Sequence, residues 1–137
     1  MEQKNFKKNA SPKPQTKILI AEDEIATRKV LADTLRQSGF KVFEAEDGEQ
    51  ALIVALKEHP DLILLDIIMP KLDGLGVLEK LREDPWGKKA TLILLTNMKD
   101  SESISKALKY NVTEYFTKSD WELAEIVEKV KSKLNLN

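Results

Sequence analysis

Residues 62–66 read Leu-Ile-Leu-Leu-Asp, four apolar side chains in a row followed at once by a carboxylate. Unbroken apolarity over so short a run is typical of a β-strand covered on both faces, because a strand with one wet face would alternate polar and apolar residues. The segment Thr91–Leu95 has the same character. Two such runs predict a parallel sheet with helices packed on both sides.

On either side of this stretch, short apolar runs alternate with segments of helical periodicity. The predicted strands cover Lys17–Ala21, Val42–Ala45, Leu62–Leu65, Thr91–Leu95 and Thr113–Thr117, and the predicted helices cover Ile25–Gln37, 48–58, Gly74–Arg82, 101–110 and 119–134. Five strand–helix units in series predict an α/β fold in which right-handed crossovers build one doubly wound parallel sheet.

Capping signals mark the start of two of the predicted helices. Asp47 and Gln50 are spaced as a capping box for the second helix, and Ser119 and Glu122 are spaced as one for the fifth. In the first helix, the side chains that recur at helical spacing are Ile25, Lys29, Ala32 and Leu35. This spacing predicts a helix, which Gly39 is placed to stop.

Length and charge indicate one globular domain preceded by a basic segment. The 137 residues are 42% hydrophobic and 33% charged, which suits a single domain with a substantial core. Residues 1–17 carry five lysines and one glutamate, net +4, which leaves −5 on the remainder. We therefore predict a flexible basic tail at 1–15 and a folded domain at 16–137. A nucleic-acid-binding arm is the alternative, but lysines without arginine favour a solvated tail and no direct nucleic-acid contact.

The sequence also gives expectations about location. Asp61 and Asp66 interrupt the apolar runs before they could span a bilayer, and the N-terminal residues lack the apolar stretch of a signal peptide. The chain contains no cysteine, which fits a reducing compartment. We expect a cytoplasmic protein that does not insert into membranes.

Four of the five predicted strands end in residues that could handle a metal-bound phosphate. These residues are Glu22 and Asp23, then Asp66, then Thr96, then Lys118. The carboxyl ends of parallel strands meet at one edge of the sheet, so three acids would lie together there and repel each other unless they share a cation. All candidate ligands are oxygens, a set that favours a hard ion such as Mg²⁺.

From Lys17 to about Leu134 the chain resembles the receiver domain of bacterial two-component response regulators. The resemblance rests on residues 18–24, Ile-Leu-Ile-Ala-Glu-Asp-Glu; residues 65–74, Leu-Asp-Ile-Ile-Met-Pro-Lys-Leu-Asp-Gly; residues 95–96, Leu-Thr; and residues 115–118, Tyr-Phe-Thr-Lys. It implies a flavodoxin-like fold with strand order 2-1-3-4-5 and a site between the first and third strands.

The resemblance implies a role for each acid in a phosphorelay. Asp66 would be the nucleophile that takes a phosphoryl group from a sensor histidine kinase or a phosphotransfer protein. Asp23, Asp66 and the backbone carbonyl of Ile68 would hold Mg²⁺, with Glu22 acting partly through metal-bound water. The protein would then catalyse its own phosphorylation and dephosphorylation as a switch, and it would not be an enzyme with a separate substrate.

The resemblance also implies how the phosphorylated state is read. Lys118 would pair with one phosphoryl oxygen and Thr96 would donate to another, and Tyr115 would turn from an exposed to a buried position. This shift would reshape the surface of the fourth helix, fifth strand and fifth helix for a downstream protein target. Taken singly, Thr96, Tyr115 and Lys118 have equally good structural explanations, so their joint placement carries the argument.

Departures from the family pattern and competing classes bound this interpretation. Ser119 stands where receivers usually have a proline after a cis peptide bond, so a trans bond is expected there. Ile68 and Met98 are apolar where a polar side chain could orient the hydrolytic water, which predicts a long-lived phosphoprotein.

Ile68 also stands where a dehalogenase-like phosphatase needs a second acid, and no phosphate-binding loop ending in Gly-Lys-Ser/Thr is present. The remaining alternative is a receiver-fold interaction module whose phosphorylation is vestigial.

Overall fold

Strands and helices alternate along the chain as the sequence predicts. A computed structural model describes residues 16–96, 101–112, 114–118 and 122–136. The elements are β1 Lys17–Ala21, α1 Ile25–Gln37, β2 Lys41–Ala45, α2 Gly48–Glu58, β3 Leu62–Asp66, α3 Gly74–Arg82, a 3₁₀ turn Gly87–Lys89, β4 Leu92–Thr96, α4 Ser101–Leu108, β5 Tyr115–Thr117 and α5 Leu123–Lys133. The predicted tail at 1–15 lies outside the described residues, and so do Met98 and Ser119.

The five strands form one parallel sheet in the order β2-β1-β3-β4-β5, which confirms the predicted topology. β3 lies at the centre, and all five of its residues are buried. Leu62 and Leu64 pack with side chains of α1 and α5, whereas Ile63 and Leu65 pack with side chains of α2 and α3. The unbroken apolar run is thus explained by two separate cores, one on each face of the sheet.

The N-terminus of α5 differs from the prediction. The helix begins at Leu123, its N-cap is Glu122, and the Glu122 backbone N–H donates to the Glu125 side chain at 3.1 Å. Glu122 has extended dihedral angles, φ −121° and ψ 149°, so it cannot be the third residue of a helix that starts after Ser119. The capping box predicted at Ser119 and Glu122 is therefore wrong, because the box lies three residues later.

Helix α1 has the predicted bounds, and its buried face includes an arginine. The buried residues of this helix are Arg28, Leu31, Ala32 and Leu35. Of the four residues whose spacing predicts this helix, Ala32 and Leu35 are buried, whereas Ile25 is 64% exposed and Lys29 is exposed as well. Arg28 therefore lies on the same buried face of the helix as Leu31, Ala32 and Leu35. At the start of α2 the predicted N-cap is confirmed, since Asp47 accepts a hydrogen bond from the Gln50 backbone N–H at 2.8 Å. The Gln50 side chain reaches back as predicted, but it accepts the Glu46 N–H, at 3.0 Å, one residue before the N-cap.

In the part of the chain that the structure describes, no helix combines the length and apolarity needed to cross a bilayer.

Candidate functional site

Strand register brings the predicted site residues to one edge of the sheet. Ala21 of β1 pairs with Leu65 of β3, so Glu22 and Asp66 each stand one position further along adjacent strands. Thr96 is the last residue of β4 and pairs with Thr117 of β5. The Lys118 backbone N–H donates to the Thr96 carbonyl, which places Lys118 directly beyond the same edge.

Lys118 bridges two buried carboxylates. Its Nζ lies 2.7 Å from Glu22 Oε1 and 3.2 Å from Asp66 Oδ2. The side chain of Lys118 is 9% exposed, that of Glu22 is 0% exposed and that of Asp66 is 4% exposed. One cation thus compensates two carboxylates that water hardly reaches, so the buried cluster carries one surplus negative charge whenever both acids are ionised.

A third carboxylate completes an acidic cluster at this edge. One oxygen from each of Glu22, Asp23 and Asp66 lies within 4.8 Å of the others, and the Asp23 side chain is exposed to solvent. The short contact of Glu22 Oε1 with Lys118 is an ion pair without hydrogen-bond geometry, so this buried oxygen accepts no hydrogen bond. Three converging carboxylates with an incompletely satisfied oxygen fit a hard divalent cation.

Burial controls the proton affinities of the cluster. Desolvation raises the pKa of Glu22 from its ordinary 4.5 to about 7, against the lowering effect of Lys118 and of the Glu24 backbone N–H. Burial likewise raises the pKa of Asp66, although Lys118 opposes the rise. For Lys118, burial lowers the pKa, but the attraction of the Glu22 and Asp66 carboxylates outweighs it and the pKa is raised. The cation therefore stays charged at neutral pH, while Glu22 is poised to take up a proton.

The raised pKa of Glu22 predicts a pH-dependent stability of the metal-free protein. The folded state holds the Glu22 proton between pH 4.5 and about 7, where the unfolded state has released it. The free energy of unfolding should therefore fall as pH rises through this window, by up to about 3 kcal/mol from this group. We expect urea melts in a chelator to show the Glu22→Gln variant gaining stability relative to wild type from pH 5 to pH 8.

Glu44 provides a control with the opposite sign. Burial favours its neutral form, but hydrogen bonds from Lys29, Arg28 and Arg36 outweigh this and lower its pKa below 4.5. Its stabilising contribution is therefore present above that pH and is lost as pH falls further. The free energy of unfolding of Glu44→Gln should consequently differ from that of wild type by a constant amount from pH 5 to 8. If the free energies of unfolding of Glu22→Gln and wild type ran parallel over that range, the raised pKa of Glu22 would be contradicted.

The loop after β3 holds Asp66 in place. Asp66 Oδ1 accepts the backbone N–H of Ile68 at 3.3 Å, and the Gly74 N–H donates to the Ile67 carbonyl at 2.7 Å. A Cβ atom on Gly74 would lie 2.3 Å from the Asp66 carbonyl oxygen, so only glycine allows this close approach. The Ile68 side chain is 67% exposed at the rim. The loop therefore orients the Asp66 carboxylate, and the Ile68 side chain beside it faces solvent.

The two predicted switch residues lie on adjacent strands and differ in exposure. Thr96 is 4% exposed at the end of β4, and Tyr115, the first residue of β5, is 43% exposed. Tyr115 pairs with Leu94 of β4, two residues before Thr96. Their roles in signalling stay a prediction.

Arg28 was not foreseen as part of this site. Its side chain is 10% exposed, and its Nη1 donates to the Glu22 backbone carbonyl at 2.9 Å. Its Nε donates to Glu44 Oε1 at 3.2 Å. An arginine three residues before Leu31 on a helix, the spacing of a shared face, was the available signal.

Comparison with known proteins agrees with this geometry. Residues 18–131 match the model of a sequence family described as "Response regulator receiver domain". A probable chemotaxis protein CheY of Rhizobium etli is 36% identical over 74% of this chain and 80% of its own. The probable transcriptional regulator ycf27 of Cyanophora paradoxa is 39% identical over 74% of this chain, which spans 41% of that relative. The chain thus covers about two fifths of the length of such regulators.

Solved structures show the same fold. A putative response regulator from Chloroflexus aurantiacus superposes with a TM-score of 0.80 at 28% identity, covering 88% of this chain and 98% of that one. CheY in the CheX-CheY-BeF3-Mg complex of Borrelia burgdorferi gives a TM-score of 0.76 at 28% identity, over 85% of this chain and 87% of that one. The chain belongs to the response regulator receiver domain family.

Proposed function

We propose that this receiver domain is a phosphoacceptor in a two-component phosphorelay and that Asp66 carries the phosphoryl group. The observation that supports this most directly is the Asp66 carboxylate, which is buried, held by the Ile68 N–H and flanked by Lys118. A buried carboxylate at a strand end is costly unless its surroundings use it. The acidic cluster and the lysine supply both charges that phosphoryl transfer needs.

The transfer is an exchange of bonds at phosphorus. An Asp66 carboxylate oxygen forms a bond to phosphorus, and the bond from phosphorus to the donor imidazole nitrogen breaks. The electron pair of the broken bond stays on that nitrogen, and because the other nitrogen of the donor ring carries a proton, the ring leaves as neutral imidazole. Lys118, already within 3.2 Å of Asp66, is placed to pair with the incoming phosphoryl oxygens.

The acidic cluster is suited to hold Mg²⁺ during this exchange. Asp23, Asp66 and the Ile68 backbone carbonyl would be its protein ligands, with Glu22 acting through a water molecule. The bound ion would neutralise charge on the phosphoryl group. The Borrelia burgdorferi relative, solved as a complex with BeF3 and Mg, is consistent with this choice of ion.

A sensor histidine kinase or phosphotransfer protein is the donor in this proposal, and a downstream protein reads the result. Thr96 and Tyr115 would couple phosphorylation to the surface formed by α4, β5 and α5. The protein would act in the cytoplasm, as a switch that catalyses its own phosphorylation and dephosphorylation. The similarity to transcriptional regulators covers only the receiver part of those proteins, so the output of the whole protein stays open.

Acetyl phosphate provides the direct test. Incubation with acetyl phosphate and Mg²⁺ should add one phosphoryl group to the intact protein, measured by mass spectrometry, and a chelator should abolish the addition. Reduction of the acyl phosphate with borohydride followed by peptide mapping should place it on Asp66. A protein that gains no mass under these conditions would instead be an interaction module with vestigial phosphorylation.

The lifetime of the phosphorylated state gives a separate prediction. The exposed Ile68 side chain offers no group to orient a hydrolytic water beside Asp66, so Ile68→Asn should speed dephosphorylation up to about tenfold. Ile53→Asn is the matched control, because Ile53 is equally exposed, at 66%, but lies on α2. Loss of the phosphoryl mass with time measures both rates. Equal rates for wild type and Ile68→Asn would remove Ile68 from the control of lifetime.

A further inference from the structure

The loop between β1 and α1 presents the acids and is fixed from several directions. The Glu22 backbone N–H donates to the Ala45 carbonyl at 3.0 Å, which extends the ladder between β1 and β2 by one residue. The Glu24 N–H donates to Glu22 Oε2, also at 3.0 Å. Asp23 lies between these two residues with an exposed side chain. The position of the Asp23 carboxylate therefore depends on how firmly its two neighbours are held.

The side chain of Arg28 makes a further contact to this loop. Its planar guanidinium donates in two directions, from Nη1 to the Glu22 carbonyl at 2.9 Å and from Nε to Glu44 Oε1 at 3.2 Å. Glu44 lies on β2, so the arginine ties the loop to the neighbouring strand. A single lysine ammonium lacks this forked geometry, and the neighbouring Lys29 contacts only Glu44 among the described residues.

We propose that Arg28 is a positioning residue, which fixes the backbone of the β1–α1 loop and thereby sets the spacing of the Glu22 and Asp23 carboxylates for a divalent cation. Compensation of the Glu44 charge alone does not explain why Arg28 is buried at this position. Glu44 also pairs with Lys29 at 3.1 Å and with Arg36 at 3.2 Å, so it remains compensated without Arg28. What only Arg28 provides, among these three cations, is a donor to the Glu22 carbonyl.

This inference rests on the proposed function, because the spacing of the acids matters only if they bind a cation. Some groups orient metal ligands without touching the metal themselves. Their removal typically lowers metal affinity by about 10- to 100-fold. We therefore expect Arg28→Met to weaken Mg²⁺ binding about tenfold by calorimetric titration. Lys29→Met is the matched control, since it removes another cation from Glu44 and should change the affinity by less than about twofold.

Amide hydrogen exchange of the metal-free protein provides a readout that does not need the ion. Arg28→Met should speed exchange at the Glu22 and Glu24 amides, whereas Lys29→Met should not. Arg28→Lys separates fork geometry from charge and also serves if Arg28→Met does not fold. The positioning role predicts that lysine restores neither Mg²⁺ affinity nor amide protection.

Three results would overturn this role. They are wild-type Mg²⁺ affinity in Arg28→Met, unchanged exchange at Glu22 and Glu24 in that variant, and full rescue by lysine. If the wild-type chain binds no Mg²⁺ and gains no phosphoryl group, the proposed function fails instead. The exchange comparison then still decides whether Arg28 fixes the loop.

Discussion

Replacing Asp66 with asparagine should abolish phosphoryl uptake from acetyl phosphate while leaving the protein folded. The amide preserves the shape of the side chain, and its oxygen can still accept the Ile68 N–H, but it is not a nucleophile toward phosphorus. The substitution also removes one of two buried carboxylates that share Lys118, so the free energy of unfolding should not fall by more than about 1 kcal/mol and could rise. Intact mass after incubation measures the first effect, and urea melts measure the second.

Asp73→Asn is the matched control for this experiment. Asp73 lies seven positions after Asp66, in the same connection between β3 and α3, and accepts the Gly76 N–H at 2.8 Å as the N-cap of α3. Asparagine is an equally good N-cap, so this variant should be phosphorylated like wild type. Full labelling of Asp66→Asn would exclude Asp66 as the phosphoacceptor and leave another side chain to be found by peptide mapping.

The sheet could be predicted from the sequence because its strands are buried on both faces. A run such as Leu62–Leu65 has to satisfy two cores at once, so every position is apolar and the segment is conspicuous. Parallel topology then places the strand ends on one edge without further information. The fold and the general location of the acids follow from these two properties.

The orientation of α1 shows where sequence patterns are insufficient. Ile25 shares the helical spacing of Ala32 and Leu35, but it is the first residue of the helix and is 64% exposed. Arg28 is charged, yet it is buried because Glu44 and the Glu22 carbonyl satisfy its guanidinium. The spacing of Arg28 from Leu31 places it on the buried face, but its partners lie 6 and 16 residues away along the chain, so helical periodicity does not identify them.

The position of Lys118 is a second feature that the sequence did not define. The resemblance implies a partner for phosphoryl oxygens, and the structure pairs the ammonium with Glu22 and Asp66. Two desolvated carboxylates attract the nearest cation, and Lys118 is brought near by its backbone bond to Thr96. The lysine thus has a structural role in the metal-free protein, and that role can be measured separately from signalling.

Lys118→Met should therefore destabilise the metal-free protein strongly at neutral pH. The substitution keeps most of the length of the side chain but leaves Glu22 and Asp66 buried without their shared cation, a situation that typically costs about 3–5 kcal/mol. Protonation of the two acids relieves the penalty, so the difference from wild type should shrink as pH falls from 8 to 5, across the raised pKa of Glu22 at about 7. Urea melts in a chelator at several pH values measure this convergence.

Lys129→Met is the control for the destabilisation expected of Lys118→Met. Lys129 also forms an ion pair, at 3.0 Å from Glu114, but the two side chains are 39% and 31% exposed. Water screens such a pair, so its loss should cost less than about 1 kcal/mol at any pH between 5 and 8. If Lys118→Met and Lys129→Met cost the same and neither converges with wild type in acid, Lys118 does not hold the carboxylates together. The surplus negative charge would then have to be stabilised by the backbone N–H groups of Glu24 and Ile68, which already donate to Glu22 and Asp66.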